Sequence, residues 1–572
     1  MWGLTNLSVP ESSNIHQISY QNYTFFSDEM LPDPKQGQNA WVCDGYLLPR
    51  KDLSGSFSSH TSAELADAIF REYEDQFINY VKGHFNLIQL MPDKFRVYSD
   101  HFGIKKYFYW QKNGQFIISN DLKTLSNLTR LTPSPLGMSV YALAYHFTGG
   151  LTAFEDTFHN QPAECIEYKD NQLHVTSYWE PQALLQLPEV SVSIEEISAS
   201  LKKAVQSTLQ QNERISLSLT GGADTRNLLS IFLSMGKKPH LYSYGNPDSN
   251  DCMKASAIAR GLGIDHQIHD IKMTATLFED NARRIIRQGG GLASIHRVHR
   301  LLAVEFENQF ANQMYLGTLG GEFVKGVSED HYIVPAIVFG NWDRNLTTRQ
   351  ELERYLVTKR LSASSELADD LLAYFQSESF MNGPKITRKH LSLTHITAHL
   401  HDAQDVNLYA TVMDRVYTPF LDIDYLETLF SSEFTFNKKE EIQNWYLRKI
   451  ENPVYASNFL KVTYPSLMYF KYSGEHKPSE VCFNKYLAAL LKGIRQKITP
   501  DYPPNFLLGT WMADFVENNL SLCHENEAVN QVFNIDRLLQ DFKDETHGKN
   551  EAYWLKYTNP IMMRFLIEEF CG

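Results

Sequence analysis

Residues 218–229 read Ser-Leu-Thr-Gly-Gly-Ala-Asp-Thr-Arg-Asn-Leu-Leu, and they set two glycines, a carboxylate and a pair of threonine hydroxyls where a strand-like run meets a helical pattern. A strand that ends in glycines and feeds a helix leaves backbone N–H groups free at the helix N-terminus. The helix dipole adds roughly half a positive charge there, so the corner is a ready anion site. Gly221 and Gly222 let an anion's oxygens approach backbone that a Cβ would block. Thr220 and Thr225 bring hydroxyls. Asp224 repels phosphate unless a divalent cation lies between, and Mg²⁺ commonly takes one or two carboxylates together with phosphate oxygens. The chemistry expected is that of a magnesium–pyrophosphate unit. The competing reading of the same residues is a plain turn with Asp224 as helix cap.

The surrounding pattern shows how such a corner would be positioned. Residues 15–180 alternate in short β segments, at Asn22–Ser27, Ala40–Leu48, Phe85–Leu90, Phe95–Ser99, Lys106–Trp110, Gln115–Ser119 and Leu173–Trp179. Gly, Asn, Asp and Pro punctuate them. One helix is expected over Ser62–Lys82. After a break at Glu180–Val190, helices (Ile194–Gln210, Asn227–Met235, Cys252–Leu262) alternate with strands (Ile215–Thr220, His240–Tyr244), which implies βαβ units and a parallel sheet. From about Thr347 the pattern is mostly helical. The expected plan is α/β plus α+β in two domains: an antiparallel β-rich domain over 1–190, and a parallel-sheet domain with a helical tail over 191–572.

Bulk properties bound the function. The chain has 572 residues, 43% of them hydrophobic and 21% charged, with a formal charge of −14. That balance argues against nucleic acid and anionic membrane as general partners. The 13% aromatic content has no basic stripe beside it, so it reads as core. Six scattered cysteines without a C-x-x-C pair suggest neither a zinc site nor a disulfide framework, and no apolar run is long enough to span a membrane. The start lacks a secretory signal pattern, and the expected location is the cytoplasm. No Walker-type loop, G-x-G-x-x-G, H-E-x-x-H or G-x-S-x-G occurs.

The corner resembles the S-G-G-x-D-[ST] signature of the pyrophosphate-loop ATPases, with Thr220 in place of the usual serine. More widely, the chain resembles the asparagine synthetase superfamily. Residues 241–271 (LYSYGNPDSNDCMKASAIARGLGIDHQIHDI), with acidic Asp251, are similar to that family's second strand and helix. YLGTLGGEFVKG (315–326) is similar to its third loop, and DRVYTPFLDIDYLETLF (414–430) to its later arginine-to-P-F-L-D stretch. In the front half, CDGYLLPRKDL (43–53) and residues 82–125 resemble elements of its Ntn-type glutamine amidotransferase domain. The resemblance spans roughly residues 20–460. It implies a glutaminase-like Ntn-type domain, followed by a synthetase domain of the adenine nucleotide α-hydrolase-like kind. ATP would rest its phosphates on Thr220, Gly221, Gly222, Asp224 and Thr225, with adenine near Leu219 and Tyr244. Leu316 and Gly317 would close the other side, and Mg²⁺ would be held by Asp224 and Glu322.

Departures from the family narrow the expectation. Its glutamine-using members place a nucleophilic cysteine after the initiator methionine, where this chain has Trp2. Cys43, inside a strand, reads as a core residue. Glutamine hydrolysis is therefore expected to be absent, as in β-lactam synthetase and the lasso-peptide macrolactam cyclases, which the chain resembles in this respect. Gly321 replaces the third loop's aspartate, leaving Glu322 to serve. Aligning the family's K-x-x-L-R element on 444–450 puts Asn444 at the lysine and Arg448 at the arginine, with Lys449 and Lys461 as substitutes. Lys325 reads as solvated, with a phosphate contact as the alternative. His296 and His299 read as exposed helix histidines, with binding of substrate carboxylates or proton relay as the alternative. The function expected is an ATP-dependent, AMP-forming carbon–nitrogen ligase joining a small-molecule or peptide carboxylate to an amine of a larger or intramolecular substrate, such as a lactam or macrolactam. A precursor peptide is a candidate partner, and a homodimer is compatible. The alternatives are an ammonia-using asparagine synthetase and a catalytically weak nucleotide- or peptide-binding scaffold.

Overall fold

A computed structural model describes residues 1–10, 14–29, 39–50, 53, 61–209, 214–317, 321–325, 348–377, 401–435, 445–499, 501–506, 509–544 and 551–571. Their strands form three sheets. The first half contributes β1 (Trp2–Thr5), β2 (His16–Ser19), β3 (Thr24–Ser27), β4 (Ala40–Pro49), β5 (Val81–Leu90), β6 (Phe95–Ser99), β7 (Phe108–Lys112), β8 (Gln115–Ser119), β9 (Thr157–His159), β10 (Glu164–Lys169) and β11 (Gln172–Ser177). They lie in two antiparallel sheets, in the orders β2-β3-β1-β8-β7-β9 and β11-β10-β6-β5-β4. Apolar residues of both sheets share a core that includes Leu4 and Phe25 from one and Ile88, Val97 and Ile166 from the other.

The expected helix over Ser62–Lys82 is cut short. Its α-helical part is Ser62–Tyr73, opened by a Thr61–Glu64 capping box. Glu74 then takes a left-handed φ of 48°, a 3₁₀ stretch follows, and β5 begins at Val81. The apolar spacing persists across the break, because Phe77 and Ile78 pack on the same core as Leu65 and Ile69. Periodicity alone therefore could not locate the end.

The second half holds a fully parallel sheet of β12 (Ile215–Ser218), β13 (His240–Tyr244), β14 (His266–His269), β15 (Gln313–Tyr315) and β16 (Arg415–Tyr417), in the order β14-β13-β12-β15-β16. β16 falls in the stretch after Thr347 that was expected to be mostly helical. Its three residues are too few for a period-2 signal, and pairing with β15 defines it. Successive strands run outward from β12 to β14, and the chain then crosses to β15 on the other flank. In open parallel sheets, ligands gather at the carboxyl ends of the strands where that direction reverses. Here that crevice lies beyond β12 and β15.

The halves are joined by charge and by packing. Lys82 pairs with Asp422 at 2.7 Å and Asp424 at 3.0 Å, and Arg50 with Asp424 at 2.9 Å. One continuous apolar cluster runs from Phe108 and Trp110 through the parallel sheet to Leu566. No helix among the described residues is long and apolar enough to cross a membrane.

Candidate active site

Residues 219–223 form the corner between β12 and the helix Asp224–Ser234. Leu219 is anchored beside β13: its N–H donates to the Tyr242 carbonyl at 2.7 Å, and its carbonyl accepts the Ser243 hydroxyl at 2.6 Å. The helix starts at Ala223 with no side-chain cap. By contrast the helices Ile194–Thr208, Asn250–Leu262 and Ala275–Gly289 are capped by Ser193, Ser249 and Thr274. Uncapped first-turn amides are the usual requirement of an anion site.

Within the corner, the hydroxyls of Thr220 and Thr225 lie 3.4 Å apart, and Thr220 Oγ1 accepts the Gly222 N–H at 3.1 Å. Gly221 donates to Asp251 at 3.3 Å. Ser473 covers Gly221, donating its N–H to the Gly221 carbonyl at 2.9 Å and its hydroxyl to Asp251 at 2.9 Å. A Cβ at Gly221 would stand 2.2 Å from Ser473 Oγ, so only glycine admits this approach. Arg226, wholly buried, ties the same segment down by donating to the carbonyls of Phe470 (2.8 Å) and Lys471 (2.9 Å). Burial lowers its pKa to about 10.

Two cavities flank the corner. One, of about 580 Å³, lies over Thr220 and the ends of β12 and β13. It holds an aromatic group in which Phe506 stacks near Tyr244 (centroids 5.8 Å apart) and His299 (4.3 Å). Asn246 donates its N–H to the Asn505 carbonyl at 2.8 Å, so the 501–506 segment is fixed across the end of β13. The other cavity, of about 500 Å³, is walled by Gly221, Gly222, Asp224 and Gly321, with Lys485 and Lys492 across it.

The crevice brings several expected residues together. Gly321 lies against Asp224: a Cβ there would come within 2.6 Å of Oδ1 and 2.9 Å of Oδ2. Glu322, the next residue, opens the short helix Glu322–Lys325. Asp224 lines the second cavity, whereas Glu322, one residue from the Gly321 contact, lines neither; Mg²⁺ needs no more than one or two carboxylates when phosphate supplies the rest. Among the described residues no group of three or more His, Cys, Asp or Glu could hold a metal by itself.

Other expected residues lie elsewhere. Leu316 is buried, with its N–H on the Tyr417 carbonyl, and Gly317 packs against the Thr225 backbone; neither lines either cavity, because these contacts with β16 and the Asp224–Ser234 helix enclose them. Lys461 is exposed on the helix Trp445–Thr463 and also lines neither cavity. The side chains of Lys325, Arg448 and Lys449, and all of Asn444, lie outside the described residues. His296 and His299 are not exposed. His296 is buried on Thr558 (2.9 Å), and both histidines line the larger cavity, where burial drives the His299 pKa well down. Sequence reading missed Ser473, Phe506, Lys485 and Lys492, which lie beyond residue 460. The polar run Ser-Gly-Glu-His-Lys at 473–477 was the available signal.

In the first half, Trp2 lies in β1 with its indole N–H donated to Asp44 at 3.1 Å. The Cys43 thiol is pushed up to about 12 by burial, which removes it as a thiolate nucleophile.

No family model and no curated protein matches this chain. Among solved structures it is similar to a glutamine phosphoribosylpyrophosphate (PRPP) amidotransferase from B. subtilis complexed with ADP and GMP, at 8% identity and a TM-score of 0.20, over 52% of this chain and 67% of that one. A second, described as the allosteric regulatory enzyme of purine biosynthesis, gives 9% identity and a TM-score of 0.20 over 52% and 66%. Likeness at that level bears on neither fold family nor activity.

Proposed function

We propose that the chain is an ATP-dependent carbon–nitrogen ligase that releases AMP and pyrophosphate, of the asparagine synthetase-like kind, with a glutaminase-like first domain (1–190) that does not hydrolyse glutamine. The observation that carries this reading is the meeting of Gly221–Asp224 and Gly321–Glu322 at the strand ends where the sheet reverses direction, with a cavity on either side. The larger cavity takes the nucleoside against Tyr244 and Phe506. The uncapped helix and corner take the phosphates. Asp224 and Glu322 are the residues that would hold Mg²⁺, which would neutralise charge on the departing pyrophosphate.

In this reading a substrate carboxylate oxygen attacks the α-phosphorus and the bond to pyrophosphate breaks. An amine then attacks the activated carbonyl carbon and AMP leaves. Lys485 and Lys492 take the part that the sequence assigned to Lys449 or Lys461, balancing negative charge opposite Asp224. Orientation of both reactants inside the crevice supplies much of the rate. The amine belongs to a larger or intramolecular substrate, since the second cavity is roomy and opens beside the corner. A nucleotide- or peptide-binding scaffold is the second reading, favoured by Ser473 lying over Gly221.

The test is pyrophosphate release with ATP and Mg²⁺, comparing aspartate plus ammonia with amino-acid and peptide substrates. Pyrophosphate and AMP are the expected products. Asp224→Ala should lower turnover by at least 10³-fold, a loss of roughly 4 kcal/mol of transition-state stabilisation. Release of orthophosphate and ADP, or full activity in Asp224→Ala, excludes the mechanism.

A further inference from the structure

The helix Lys485–Ile498 is turned the opposite way from an ordinary surface helix, which points its large apolar residues at the core. Its one buried residue is Ala488, whereas Leu490 is 61% and Ile498 75% exposed, with Leu487 and Ile494 also exposed. Phe483, just before the Asn484 cap, is 83% exposed. The side of the helix that carries Lys485, Ala488, Ala489 and Lys492 lines the second cavity. The apolar residues therefore make one outward stripe rather than scattered surface hydrophobics.

The stripe has the same spacing read from either end. From Phe483 it steps four residues to Leu487 and three to Leu490; from Ile498 it steps four to Ile494 and three to Leu491. A face with that symmetry is complementary to itself about a two-fold axis. At roughly 150–200 Å² for each large apolar side chain, its uncovered area is on the order of 600 Å². With the residues that flank it, the stripe approaches the ~800 Å² per partner of a standard interface.

We propose that this stripe is a homodimer interface, on which the same helix of a second copy packs antiparallel. Phe483 then lies against the second copy's Ile498, Leu487 against its Ile494 and Leu490 against its Leu491. In that register Lys497 meets Asn484 and Lys485 meets Gln496, so no two lysines are opposed. The charges suit a second copy better than an anionic lipid surface. Arg495 is held by Glu480 at 2.7 and 2.8 Å, Lys485 and Lys492 line the cavity on the other side, and the whole chain carries −14. The interface is independent of the ligase reading, although it would clamp a helix that walls the second cavity.

Sedimentation velocity of the full chain across micromolar concentrations tests the proposal. The parent should sediment as a dimer. Leu487→Glu or Ile494→Lys alone should each weaken association roughly 30-fold or more. Both together in one chain should restore the dimer, because each glutamate then faces a lysine of the other copy. Recovery by the double variant separates lost association from lost folding. A monomeric parent overturns the proposal, as does a dimer indifferent to both single substitutions or a double variant that stays monomeric. Binding to mixed phosphatidylcholine–phosphatidylserine vesicles that the single substitutions abolish, with no change in mass, assigns the stripe to lipid and overturns it too.

Discussion

At the scale of single residues, the corner depends on what is left out of it. Gly221 is glycine because Ser473 Oγ occupies the space of a Cβ, with the Lys254 stem a further 3.2 Å contact. Gly221→Ala should cost about 1–3 kcal/mol through overpacking and raise the KM for ATP. Ser473→Gly in the same molecule should recover much of both. A double-mutant cycle on thermal stability and KM measures the coupling, and simple additivity would show that the two residues do not share that space. Gly321 follows the same logic, since its missing side chain is what lets the third loop rest on the Asp224 carboxylate. In the sequence this glycine looked like the loss of a ligand; packed, it is a close approach.

At the scale of elements, the site is made by strand ends and by a segment far away in sequence. β12 and β15 bring the corner and the third loop together, and Asn505 and Phe506 line the larger cavity beside them. Phe506 is only half-buried, so it contributes little to the core while forming part of the stacked aromatic wall. Phe506→Ala should weaken ATP binding roughly 3- to 10-fold, the equivalent of one aromatic contact, with little change in thermal midpoint. Binding of a non-hydrolysable ATP analogue by calorimetry checks this, and unchanged affinity would place the base elsewhere. The Ser62–Tyr73 helix shows the limit of pattern reading at this scale: its cap was legible in Thr61 and Glu64, but its end was set by Glu74 entering a backbone region that apolar spacing does not report.

At the scale of the whole molecule, buried titratable groups set the response to acid. Burial depresses His84, His101 and His159 from 6.5 to about 3. Each lends stability above pH 6.5 that is lost as pH falls toward 3, because the unfolded chain takes the proton first. Burial raises Asp100 from 3.8 to about 6 and Glu164 from 4.5 to about 7. Those two act in the opposite sense: their contribution is present at low pH and lost as pH rises through 6–7. Burial also lowers His146 and His266 to about 4, His299 well below 6.5, and His476. The depressed histidines therefore outnumber the two raised carboxyls, and the unfolded chain holds the excess of protons below about pH 6. Stability should fall on acidification by more than the roughly 1.4 kcal/mol per pH unit that one proton would give. Denaturant midpoints measured from about pH 7 to 4.5 check this; a flat profile would mean that these histidines do not dominate.

The succession of a β-rich first half and a strand–helix second half, the glycine corner and the parallel sheet were legible from the chain itself, because each is a local matter of backbone freedom, alternation or spacing. Short strands such as β9, β14, β15 and β16 were not, because pairing rather than period defines them. Folding decided which distant groups meet. It set Gly321 against Asp224, Ser473 over Gly221 and Phe506 beside Tyr244, it turned Leu316 and Gly317 away from the cavities, and it left Lys461 in solvent. Those outcomes follow from long-range pairing and shared packing volume, and no window of sequence carries information on either.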